Sequence, residues 1–63
     1  MTIEAREIAR ELLYDLRNGK LKAVGIDQIR ERIRAHKHYS RWSRSNVEFL
    51  EQKVCRLIVQ ESA

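Results

Sequence analysis

AREIARELLYDL, residues 5–16, is the stretch that decides the fold. Ala5, Ile8, Ala9, Leu12, Leu13 and Leu16 recur there at i, i+3, i+4, i+7, i+8 and i+11. That is one complete apolar face of an α-helix, and a strand with its two-residue period could not collect these side chains on one side. The outward positions are taken by Glu4, Glu7, Arg10, Glu11 and Asp15, with Glu7 and Arg10 spaced to meet across one turn. The acids read as a solvated row. Thr2 is a suitable N-cap, and Arg17-Asn18-Gly19-Lys20 is a stop signal, a cation followed by residues that tolerate a left-handed conformation. The spacing predicts a helix over about 3–18.

Two further patterns follow. Leu21 to Gly25 is a short connection, with room for a little helix of its own. Asp27 then caps a second helix over about 27–38, whose stripe is thin: Ile26, Ile29 and Ile33. Ser45 with Glu48 fits a capping box, in which hydroxyl and carboxylate each satisfy an orphan backbone donor, and opens a third helix over about 45–60. Val47, Leu50, Val54, Leu57 and Ile58 form its inner face. Phe49, Cys55 and Val59 point to the side or behind, so this helix is either central, with those residues in its core, or has a partner on its outer side. The expectation is an all-α, compact three-helix domain spanning residues 1–63 as one unit.

Composition narrows what such a domain does. With 63 residues and no Pro the chain holds one small core, of the size that supplies about 3–5 kcal/mol without a staple. The lone Cys55 closes no internal disulfide. An acid in the first helical turn is unlike the basic, apolar layout of a signal peptide, and no apolar run approaches the ~18 residues of a membrane span. The chain therefore reads as intracellular. The formal charge of +4 is unevenly distributed. Acids and bases cancel over residues 1–27, whereas residues 28–44 set Arg30, Arg32, Arg34, Lys37, Arg41 and Arg44 against Glu31 alone.

That basic block also carries His36, His38, Tyr39 and Trp42. Cations that displace counterions from phosphates, with rings on which bases stack, are what a nucleic-acid surface needs. The six cations are therefore candidate nucleic-acid contacts. Against this, Arg30, Arg32 and Arg34 alternate and spread around a helix, as a merely solvated face does. Gly25-Ile26-Asp27 resembles the turn that opens a helix-turn-helix recognition helix, but Leu21 stands where a small residue is usual, and Ile29 and Ile33 are one register off. For protein contacts the candidates are Phe49 and Val59 on the third helix, and Tyr39 and Trp42 in the preceding loop, where large aromatics serve as interface anchors. Trp42 could instead pack over the base of the third helix.

Catalytic and metal chemistry find little support. His36, His38 and Cys55 are too few for a structural zinc site, and His-x-His on a helix would aim the two rings about 200° apart. Gly19 and Gly25 open no phosphate-binding pattern. The expectation is a protein without catalytic residues, metal or other cofactor, a monomer or weak homodimer.

From MTIEAREIARELLYDLRNGK to HKHYSRWSRSNVEFLEQKVCRLIVQESA, the chain resembles the small accessory proteins encoded in the exonuclease–excisionase region of lambdoid bacteriophages. The resemblance covers the full length and both ends, and rests on general appearance with no diagnostic motif. It implies a delayed-early protein of the infected bacterial cytoplasm, absent from the virion and dispensable. Such a protein would bias the choice between lysis and lysogeny, or disturb the host cell cycle, by binding a host or phage regulator. It brings no assigned site residues.

Overall fold

The computed structural model describes residues 1–62, and the order of elements is α1 (Thr2–Arg17), α2 (Ile26–Arg34), a single 3₁₀ turn η1 (Tyr39–Arg41) and α3 (Arg44–Ser62). The all-α three-helix reading holds, and no strand occurs among the described residues. All three helices pack on one another, α3 against both others and α1 against α2 more thinly.

α1 begins one residue earlier than its sequence suggests. The Ala5 N–H donates to the Met1 carbonyl at 3.0 Å, so Met1 is the cap and Thr2 lies inside the helix. The other end closes as the stop signal implies. Gly19 adopts φ +76°, its N–H reaches the Leu16 carbonyl at 3.3 Å, and the Lys20 N–H reaches that of Asp15 at 2.8 Å. These two bonds make a Schellman motif with glycine in the left-handed position, where any side chain would be strained by about 1 kcal/mol.

α2 is shorter than expected. Its cap is Gly25, not Asp27: the Ile29 N–H bonds to the Gly25 carbonyl at 3.2 Å, and the Gly25 N–H to Gln28 Oε1 at 2.8 Å. It ends at Arg34 instead of His38. Past Ala35 the His38 N–H donates to His36 Nδ1 at 3.1 Å, a side-chain acceptor that competes with the helical carbonyl ladder. The chain then turns through η1, with Tyr39 N–H on the His36 carbonyl at 3.0 Å. Leu21 to Gly25 forms no helix, although Leu21 and Val24 pack against the core.

α3 starts at Arg44, with Ser43 as its cap: Ser43 Oγ accepts the Asn46 N–H at 3.2 Å, and the Ser43 carbonyl that of Val47 at 3.0 Å. The Ser45–Glu48 capping box does not form, because both residues already lie within the helix. Glu48 faces Arg44 at 3.8 Å instead.

The core is Ala5, Ile8, Ala9 and Leu12 of α1, Ile29 and Ile33 of α2, and Leu50 and Val54 of α3. Val47, Leu57, Ile58 and Trp42 close around it. The periodic faces of α1 and α3 are thus confirmed. Ile26, assigned to the inner stripe of α2, is 44% exposed. Phe49, Cys55 and Val59 do not belong to the core although α3 packs on both other helices: α1 and α2 together cover only the Leu50–Val54 side.

Candidate functional site

Two groups of residues can be followed from sequence to position. The first is the basic block. Arg30 points to α3, its Nε 3.3 Å from Glu51 Oε2. Arg32, two residues on, points the opposite way, as a 100° step per residue requires. Its guanidinium bridges two of the outward acids of α1, Nη1 to Glu11 Oε1 at 3.1 Å and Nη2 to Asp15 Oδ2 at 2.7 Å. The hydrogen bond to Asp15 is the main reason that its pKa is raised. Arg44 lies 3.8 Å from Glu48 on a fully solvated edge. Half the candidate phosphate contacts therefore already face a carboxylate. Arg34, Lys37 and Arg41 are exposed and form no ion pair among the described residues.

The acids of α1 correct an expectation here. Asp15 is half-buried beneath Arg32, and Glu4 is half-buried as well, so the row is not uniformly solvated. Glu4 Oε1 is turned away from solvent toward the Met1 ammonium at 3.1 Å, and Oε2 lies 3.9 Å from His38 Nδ1. A hydrogen bond from its own backbone amide, then the ammonium, holds the Glu4 carboxyl below its ordinary value.

The aromatic residues separate. Trp42 is half-buried on the core, its ring centroid 4.9 Å from that of His36. That is the packing role weighed for it. Tyr39 stays 40% exposed in η1. His36 and His38 lie outside α2, so their rings do not diverge as a helix would force and come within 5.2 Å. No cluster of three or more metal-ligating side chains exists among the described residues.

The second group lies on the outer face of α3. Phe49 is 46% exposed and Val59 62%. Val59 shares an open hollow of about 590 Å³ with Cys55, Glu51, Gln52, Arg56 and Ile26, the last reaching in from the start of α2. Ile26 is the member that periodicity hid. It sits on the first turn of a short helix, where the inner stripe has already run past the edge of its neighbour.

The class these observations define is a three-helix domain with a closed core and exposed Phe49 and Val59 on the outer side of α3, in which no described helix is long and apolar enough to cross a membrane. No protein-family model, curated protein or solved structure matches this chain.

Proposed function

We propose that this protein is a non-catalytic interaction module that presents the outer face of α3 to a regulatory protein. The observation that carries the reading is the exposure of Ile26, Phe49 and Val59 around a core that closes without them. Phe49 and Val59 on the outer side of α3, with Ile26 of α2 beside Val59, are the usual material of a protein contact. The resemblance to phage accessory proteins supplies the setting: a partner among host or phage regulators in the bacterial cytoplasm, and an effect on the choice between lysis and lysogeny.

The test is a pair of variants, Phe49→Ala and Val59→Ala, expressed in bacteria infected by a lambdoid phage. Wild type should shift the frequency of lysogeny; both variants should melt within about 0.5 kcal/mol of it, as surface changes do, and lose the shift. Variants that fold and retain the full shift would overturn the reading. A nucleic-acid reading rests on Arg34, Lys37 and Arg41, which form no ion pair among the described residues. Amide shifts over residues 30–44 on adding duplex DNA, fading as salt rises, would put it first.

A further inference from the structure

Helix α1 is divided lengthwise by charge. At about 100° per residue, Glu4, Glu7, Glu11 and Asp15 fall within an arc of roughly 80°. Arg6, Arg10 and Arg17 fall within about 40° of one another, on the opposite flank of the apolar stripe. The acidic flank is occupied: Arg32 crosses from α2 to Glu11 and Asp15, while the Met1 ammonium and His38 face Glu4. The basic flank is not. All three arginines are exposed, and none forms an ion pair among the described residues.

Those arginines line an open groove of about 590 Å³ where α1 meets the last turns of α3. Leu13, 8% exposed, and half-buried Leu57 also line it, as does Glu61 from α3. A row of unpaired cations beside leucines is matched by a ligand that carries carboxylates and apolar side chains together. A sugar–phosphate backbone would answer the arginines alone, leaving the leucines against a hydrated chain. Guanidinium groups also take carboxylates in a bidentate fork, so each cation can fix a position as well as attract.

We propose that the α1–α3 groove docks an acidic amphipathic helix of a partner protein, with its carboxylates on Arg6, Arg10 and Arg17 and its apolar side chains on Leu13 and Leu57. From Arg6 to Arg17 the row runs about 16 Å, or three turns. The partner segment is therefore a short helix with acids at the same spacing. This surface shares no residue with the Phe49 and Val59 face, so either can stand without the other.

The probe is a fluorescent helical peptide of about sixteen residues, with glutamates at i, i+4 and i+11 and leucines at i+3 and i+10. Its anisotropy is titrated with wild type, with the triple variant Arg6→Gln, Arg10→Gln, Arg17→Gln, and with a charge-matched control, Arg34→Gln, Lys37→Gln, Arg41→Gln. Wild type and control should bind alike, and the α1 triple variant about tenfold more weakly, the combined effect of three exposed pairs. Glu61→Gln should tighten binding. Should the triple variant fail to melt as wild type does, Arg10→Glu serves in its place, with binding restored by a peptide carrying lysine at i+4. Equal losses in the two triple variants would mean attraction to net charge, and would overturn the proposal. So would no peptide binding by wild type, or duplex DNA that binds through the same arginines and displaces the peptide.

Discussion

At Glu4 a single carboxylate gathers its own backbone amide, the Met1 ammonium at 3.1 Å and the His38 ring at 3.9 Å. Its folded pKa therefore lies below the ordinary value of 4.5. A depressed carboxyl pKa contributes stability above the unfolded value, and loses it as pH falls through the folded one. Glu4→Gln should thus lower the melting temperature at about pH 7, with the gap to wild type closing in acid, once pH has fallen below 4.5 and the native carboxyl takes up its proton. Melting curves across that range check it, and a gap that persists unchanged in acid would contradict it. Arg32 shows why such contacts escape a reading of the sequence. It counts as one cation among six in a basic block, yet its partners Asp15 and Glu11 stand 17 and 21 residues back in the chain. A local sum of charge registers the arginine and not the acids that take it.

Helix ends are where competing local signals decide, and α3 separates two of them. The sequence offers Ser45 as the cap, but it is the Ser43 hydroxyl that meets a free amide, that of Asn46 at 3.2 Å. Ser43→Ala should cost about 1 kcal/mol in denaturant unfolding and Ser45→Ala only a few tenths, since the latter removes no cap. The reverse order would place the start of α3 two residues later. The interiors of α1 and α3 were legible because their apolar positions recur over three or more turns, so a single misplaced residue cannot move the face. The ends were not. α2 stops four residues short of His38 because the His36 imidazole, through Nδ1, takes the amide of His38. Nothing in a periodic pattern marks which of several acceptors an amide will choose.

For the molecule as a whole, charge and apolar surface are arranged in a way that totals conceal. The first 27 residues sum to zero, yet α1 carries acids down one flank, matched by Arg32, and arginines down the other, facing an open groove. Sorting the same residues by angle around the helix would have revealed both flanks. Apolar surface divides as sharply at adjacent positions: Leu50 is wholly buried and Phe49 is 46% exposed. A core of this size supplies about 3–5 kcal/mol, and truncating a buried leucine to alanine removes about 2–5 kcal/mol. Leu50→Ala should therefore leave much of the population unfolded at 25 °C, while Phe49→Ala melts nearly as wild type does. Far-UV circular dichroism of the two variants measures both. A native-like melt for Leu50→Ala would mean that the core draws on more than these helices, through the outer face of α3 pairing with a second copy, and sedimentation at two concentrations would then reveal a dimer. If Phe49→Ala proved as damaging as Leu50→Ala at low concentration, Phe49 would belong to the folded core of the single chain and would be lost as a partner contact.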